Sequence, residues 1–192
     1  MSWSPAFEIG LWNAWILMLY FPLHPLIMIV VDKAVGTGGI FKKMGDVPYE
    51  KGEKRAYVIY MVILLLLLAY SVFLPLKLGT LWFYVGLTTY LVGLMMFLTA
   101  IVSIATTPLG HPFTQGIYRY SRHPLYFSIS ITFVGVSVAS ASWVFLLLSV
   151  VIMILQTSPA IAEERGCLET YGDEYQEYLN RTPRWIGMPK SW

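Results

Sequence analysis

The sequence predicts an all-α integral membrane protein with about five transmembrane helices, of which the last two form a helical hairpin followed by a cytoplasmic helical tail. Of the 192 residues, 57% are hydrophobic and 12% are charged, whereas soluble domains are about 45–50% apolar and about 25% charged. The mean hydropathy is +0.62. The charges are also clustered, and the long uncharged stretches between the clusters are typical of membrane spans.

These stretches set the predicted spans, because a hydrocarbon core about 30 Å thick needs roughly 20 apolar residues. The first three spans are expected at about 9–31, 56–76 and 81–105. The stretch 125–162 is too long for one straight span and suits two short helices, with the small, polar segment 139–142 as the turn between them. Five spans follow from this division, and four spans with one long kinked helix is the alternative.

The distribution of basic residues predicts the orientation. An odd number of spans places the three basic segments of the chain on one side, and the positive-inside rule makes that side the cytoplasm, with the N-terminus outside. We expect one membrane domain over 1–192, with three spans in 1–107 and a polar motif, the hairpin and the tail in 108–192. In the tail, the i, i+4, i+7 spacing of Tyr171, Tyr175 and Tyr178 predicts one face of a single helix.

The composition also excludes several functions. Thirteen Lys and Arg residues against 11 Asp and Glu give a net charge near +2, which is too balanced for a nucleic-acid-binding protein. One cysteine and three histidines that are distant in sequence disfavour a metal site. We therefore predict neither a metal nor a nucleic-acid partner.

The most informative segment is 116–126, directly before the predicted hairpin. Pro124 has the fixed φ that suits the first turn of a helix, and it pushes His123 out of helical geometry. Arg122 and His123 therefore precede a helix N-terminus, where backbone N–H groups favour an anion. For this segment alone, an arginine held by lipid phosphates is the alternative interpretation.

Two adjacent carboxylates, Glu163 and Glu164, follow the predicted hairpin. Carboxylates at the end of an apolar span are costly unless they are paired. A hairpin returns its second helix to the membrane face where the first began, so these glutamates are expected close to Arg122 and His123. Cationic and carboxylate groups at one membrane surface can hold a zwitterion such as an amino acid moiety.

These residues carry a family resemblance that covers about residues 108–186. The chain resembles the integral membrane methyltransferases, a superfamily that includes the isoprenylcysteine carboxyl methyltransferases and the phosphatidylethanolamine N-methyltransferases. The matching residues are Gly116, Tyr118, Arg122, His123, Pro124 and Tyr126, then Glu163 and Glu164 and the tail sequence Tyr-Gly-Asp-Glu-Tyr.

The resemblance implies S-adenosylmethionine as the cofactor, bound at the cytoplasmic mouth of the hairpin. It also implies a lipophilic methyl acceptor, which is a lipid, a small lipophile or an isoprenylcysteine carboxylate. His123 suits the methionine carboxylate, Glu163 suits the ammonium or the ribose hydroxyls, and Tyr118 or Tyr126 can lie against the sulfonium or adenine. The expected cofactor-binding residues are Tyr118, His123, Pro124, Tyr126 and Glu163.

Two further residues are expected to act in catalysis. Arg122 would orient an anionic part of the acceptor, and Glu164 would be the general base if the acceptor is an amine. The alternatives are an NADPH-dependent sterol or steroid reductase, and a non-catalytic scaffold or transporter subunit. The shortness of the chain favours a prokaryotic cytoplasmic membrane, and the oligomeric state is left open.

Overall fold

The computed structural model describes residues 1–3, 7–35, 38–45 and 47–189, and within these ranges the regular secondary structure is entirely helical. The predicted all-α class is therefore confirmed. The helices are α1 (Trp15–Met18), α2 (Tyr20–Val35), α3 (Ile40–Met44), α4 (Lys51–Ser71), α5 (Leu81–Thr106), α6 (Pro124–Ala139), α7 (Trp143–Leu155), α8 (Thr157–Tyr171) and α9 (Asp173–Arg181), with a 3-10 turn at Gly116–Arg119.

Four helical segments of the described ranges are long and apolar enough to cross a membrane. They are Trp15–Val35, Lys51–Ser71, Leu81–Thr106 and Trp143–Tyr171. Helix α6 is apolar but has only 16 residues, which is fewer than the roughly 20 that a straight span needs. The count of five spans and the side of the membrane on which the tail lies therefore remain predictions.

The helical hairpin is present where the sequence predicts it. Helix α6 ends at Ala139 and α7 begins at Trp143. Side chains of the two helices then contact each other in antiparallel order. Near the turn, the hydroxyls of Ser137 and Ser149 are 3.4 Å apart, and deeper in the bundle Ser130 donates to Gln156 at 2.9 Å. The alternative of one long kinked helix is therefore wrong.

The second span begins and ends about five residues earlier than the predicted 56–76. A capping box starts α4: the Glu50 side chain accepts from the Glu53 backbone, and the Glu53 side chain accepts from the Glu50 amide at 2.9 Å. After α4 ends, Ala14 donates to the Leu74 carbonyl at 2.8 Å. These partners satisfy backbone groups at both ends, and the apolar pattern alone does not reveal them.

The tail is not the single helix that the tyrosine spacing predicts. Gly172 has φ of +53°, a conformation that L side chains rarely adopt, and it separates α8 from α9. Tyr171 therefore belongs to α8, whereas Tyr175 and Tyr178 are buried on α9. The Tyr178 hydroxyl donates to the Tyr118 carbonyl at 2.7 Å, which fastens α9 to the segment before α6.

Helices α5 and α6 approach each other closely enough for their backbones to touch. A Cβ atom at Gly86 would lie 2.1 Å from the Ala139 nitrogen, and one at Gly135 would lie 2.5 Å from the Tyr90 nitrogen. Both contacts involve backbone atoms, which cannot rotate away as a flexible side chain can. Small residues at this interface are what allow the two helices to pack so tightly.

Substituting either glycine should therefore destabilise the bundle. We expect Gly86→Ala and Gly135→Ala each to lower the free energy of unfolding in detergent by about 1–3 kcal/mol, because the added methyl group forces the two helices apart. Gly52→Ala is the matched control: no atom lies within 4 Å of its ideal Cβ position, and alanine is the better helix former. Equal stability of all three variants would contradict the proposed packing.

Candidate functional site

The segment before α6 has the local geometry that the sequence predicts. Pro124 occupies the first helical position, and His123 is the N-cap residue with φ of −127° and ψ of 58°, outside the helical region. The backbone amides of this segment donate to carbonyl groups of the C-terminal segment that follows α9. Arg122 donates to the Pro183 carbonyl at 3.0 Å, and His123 donates to the Arg184 carbonyl at 3.3 Å.

The carboxylate of Glu164 is the centre of the site. Its Oε1 atom lies 3.0 Å from Arg122 Nη1, 3.0 Å from His123 Nε2 and 2.9 Å from Arg184 Nε. Its Oε2 atom accepts from Arg184 Nη2 at 2.7 Å. Only 9% of the Glu164 side chain is exposed. A carboxylate this deeply buried needs such partners, because desolvation without them is costly.

Glu163 is held much more loosely than its neighbour. The Tyr126 hydroxyl donates to its Oε1 atom, and His123 Nδ1 lies 3.4 Å from its Oε2 atom. One third of its side chain is exposed, and no Lys or Arg in the described ranges pairs with it. Glu163 is therefore the carboxylate of the pair that has hydrogen-bonding capacity left for a ligand.

His123 bridges the two glutamates through its two ring nitrogens. Burial alone lowers the pKa of this imidazole, but the hydrogen bonds and charges of Glu163 and Glu164 outweigh burial and raise the pKa above its ordinary value of 6.5. Both ring nitrogens face carboxylates, so the ring is not arranged to receive the anionic group that the sequence assigned to it. An anion would have to displace Glu163 to reach it.

Arg122 retains an unused donor in the same cluster. Its Nη1 atom pairs with Glu164, whereas its Nε atom is buried without a hydrogen-bond partner in the structure. A buried N–H group without an acceptor costs about 1–3 kcal/mol. This unsatisfied donor is the point in the cluster best suited to receive an anionic ligand group.

Tyr118 lies behind the cluster rather than in it. Its side chain is buried, and this burial raises the pKa of the phenol well above its ordinary value. The charge of the nearby Glu163 raises the pKa further. Its ring packs against Phe113 with the centroids 5.7 Å apart. The structure thus brings six of the predicted site residues together directly, with Tyr118 as their neighbour; those six are Arg122, His123, Pro124, Tyr126, Glu163 and Glu164.

Two C-terminal residues of the cluster were not predicted as site residues. Arg184 supplies two of the three hydrogen bonds that Glu164 accepts beside its ion pair with Arg122, and the Trp185 ring lies 6.2 Å from the His123 ring. In the sequence, Arg184 is one of the basic residues of the C-terminal segment, and these predict only the orientation. The available signal for a site role is the Thr-Pro-Arg-Trp stretch at 182–185, whose arginine follows Glu164 by 20 residues.

A second ion-pair cluster lies beside the site, between α8 and the start of α4. Arg165 donates to both carboxylate oxygens of Glu53, at 3.0 and 2.7 Å, and to the Pro48 carbonyl at 2.6 Å. Glu50 lies 3.2 Å from the same guanidinium. These contacts attach the segment that precedes α4 to α8. Arg165, which makes them, directly follows the glutamate pair.

The fold and the site define a class of protein: a multi-pass helical membrane protein with a buried cluster of arginine, histidine and glutamate at one end of its terminal hairpin. A family model for phospholipid methyltransferases matches residues 78–174, about half of the chain, and the chain belongs to this family. The matched range runs from just before α5 to the start of α9 and includes the glutamate pair. No curated protein shows significant similarity to the chain.

The contribution of Arg184 can be measured directly. We expect Arg184→Met to lower the free energy of unfolding in detergent by about 1–2 kcal/mol, because it removes two charge-assisted hydrogen bonds from the buried Glu164. Arg119→Met is the matched control, since Arg119 is exposed in the turn before α6 and should cost less than about 0.5 kcal/mol. A similar loss in both variants would show that Arg184 does not hold the cluster.

Proposed function

We propose that the protein is a membrane methyltransferase that uses S-adenosylmethionine to methylate the amine of a lipid. The observation that carries this proposal is the unequal pairing of the two adjacent glutamates beside Arg122. One carboxylate is saturated by cationic groups, and the other remains partly free. Membership of the phospholipid methyltransferase family supports both the reaction and a lipid acceptor.

The residues of the site fit the zwitterionic end of the cofactor. Glu163 has lone pairs left for the ammonium group, and Arg122 Nε is a buried donor that lacks an acceptor for the carboxylate. Tyr126 donates to Glu163 and so keeps it in place. The cluster thus offers one anionic and one cationic partner, whereas a phosphate-rich cofactor such as NADPH would need several free cations.

Glu164 acts in this proposal as a positioning residue and not as the general base of the sequence-based prediction. Two guanidinium groups and the His123 imidazole surround its carboxylate, and each of them stabilises the ionised form. Such a group has little affinity for a proton. Its contribution is to fix Arg122 and His123 relative to the neighbouring Glu163.

The reaction demands little beyond alignment. When bound, S-adenosylmethionine supplies a methyl group that is already activated by the sulfonium. The chain has to hold the acceptor nitrogen in line with that methyl group and to exclude water. A lipid amine is mostly protonated at pH 7 and has no lone pair until it loses its proton. We propose that this proton passes to bulk water before the acceptor enters the site, since Glu164 is saturated and Glu163 is assigned to the ammonium of the cofactor.

The cofactor assignment predicts different effects for the two glutamates. Glu163→Gln removes the charge that faces the ammonium and should weaken S-adenosylhomocysteine binding by about 10- to 150-fold, equivalent to about 1.5–3 kcal/mol. This variant should keep the stability of the parent protein, because Glu163 makes few contacts. Isothermal titration calorimetry of purified protein measures the affinity.

Glu164→Gln is the matched comparison and should lower the unfolding temperature along with the affinity, since three cations lose their partner. Unchanged affinity in Glu163→Gln, with the fold intact, would contradict the assignment. Tight NADPH binding by the parent protein would favour the reductase alternative instead.

The pH dependence of the rate identifies the acceptor chemistry. With phosphatidylethanolamine as the acceptor, the rate should rise with pH between 6 and 9, because the fraction of free amine rises. The same slope should persist in Glu164→Gln at a lower rate, since this residue positions and does not take the proton. Radiolabelled methyl transfer measures both profiles.

A carboxylate acceptor is already nucleophilic at neutral pH and would give a nearly flat profile. A flat profile, or methylation of a farnesylcysteine analogue with none of any phospholipid, would overturn the lipid-amine proposal. A loss of rate in Glu164→Gln that is severe at pH 6 and largely relieved at pH 9 would instead restore this glutamate as the general base, because high pH replaces a missing base.

A further inference from the structure

The first turns of α4 present a basic surface on the side that faces away from the site. Lys51, Lys54 and Arg55 are exposed and line an open groove of about 500 Å³ together with Val58 and Ile59. We call these five residues the basic corner. None of its three cations pairs with a carboxylate in the described part of the chain.

The charges on this helix are separated by face. Glu50 and Glu53 point toward α8, where they pair with Arg165, and Tyr60 is buried further along the same side. The cations of the basic corner occupy the opposite side. A surface that contacts only water does not require acidic and basic residues to lie on separate faces. Acidic residues among the cations would neutralise the positive charge of the groove.

The groove places its charged and apolar residues in the same order, from the helix end inward, as a phospholipid places its headgroup and acyl chains. Its cations lie at the first turn of a membrane-spanning helix, and its apolar members, Val58 and Ile59, are about half exposed one turn deeper. A lipid phosphate meets cations at this depth, and acyl chains meet apolar side chains directly below. The N-terminal end of α4 adds the partial positive charge of a helix dipole.

We propose that the basic corner binds the phosphate group of an anionic glycerophospholipid, whose acyl chains lie along Val58 and Ile59. This lipid is a resident of the surrounding membrane and not the methyl acceptor, because the corner lies on the opposite face of α4 from Glu53, which pairs with α8, the helix that carries Glu163. The site is therefore independent of the proposed reaction and is tested by binding alone.

Native mass spectrometry of the full chain in detergent tests this site. The probes are phosphatidylglycerol and phosphatidylcholine with identical acyl chains. The triple variant Lys51→Gln, Lys54→Gln, Arg55→Gln should bind phosphatidylglycerol roughly 100-fold more weakly, since each basic residue contributes roughly fivefold. Its retention of phosphatidylcholine should change little.

A second triple variant provides the matched control, because it removes the same charge from exposed positions outside the corner: Lys33→Gln, Lys42→Gln, Arg119→Gln. It should keep the phosphatidylglycerol affinity of the parent within about threefold. Equal weakening in both triple variants would show a general charge effect and overturn the proposal, as would no weakening in the corner variant.

Two more measurements distinguish binding of the whole lipid from binding of its phosphate group alone, and they detect misfolded variants. Val58→Asn with Ile59→Asn leaves the charges intact and should also weaken phosphatidylglycerol retention, because the acyl chains lose their apolar surface. Unchanged retention in this variant, or displacement of the lipid by an equal concentration of inorganic phosphate, would show that phosphate alone is recognised and contradict the proposal. Circular dichroism should show the helix content of the parent in every variant.

Discussion

The buried carboxylate of Glu164 is the constraint on which the site depends. A charge that is 9% exposed persists only when its hydrogen bonds are satisfied. The partners of Glu164 come from two distant parts of the chain: Arg122 and His123 before α6, and Arg184 after α9. The same carboxylate therefore links the two ends of the hairpin that lie away from its turn. It also holds the C-terminal segment against the residues that precede α6.

The contrast between the two glutamates follows from helix geometry. Adjacent residues of an α-helix point about 100° apart, so Glu163 and Glu164 cannot face the same environment. Glu164 faces the arginines and becomes saturated, whereas Glu163 faces Tyr126 and keeps part of its surface exposed. Two adjacent glutamates thus place a saturated carboxylate beside one that is partly exposed, and the latter is the carboxylate we propose to bind the cofactor.

The sequence predicts those features that depend on local chemistry. The uncharged stretches, the small residues at 139–142 and the proline after His123 suffice for the hairpin and for the start of α6. The break at Gly172 was missed because the tyrosine spacing spans it without interruption, and the early start of α4 was missed because its first turn is charged. Arg184 was not identified as a site residue because its contact with Glu164 depends on how α9 returns, which no periodicity encodes.

Two kinds of helix contact hold the two ends of the hairpin, and their physics differs. Toward the turn of the hairpin, helices α5 and α6 meet through backbone atoms at Gly86 and Gly135, which cannot rotate away as a flexible side chain can. Helices α4 and α8 are joined at the same end as the site by the Arg165 ion pairs, whose members are partly exposed, and water can replace such contacts at little cost. The close α5–α6 contact therefore fixes the hairpin toward its turn, whereas the end that carries the cluster is joined to α4 by polar contacts that water can replace.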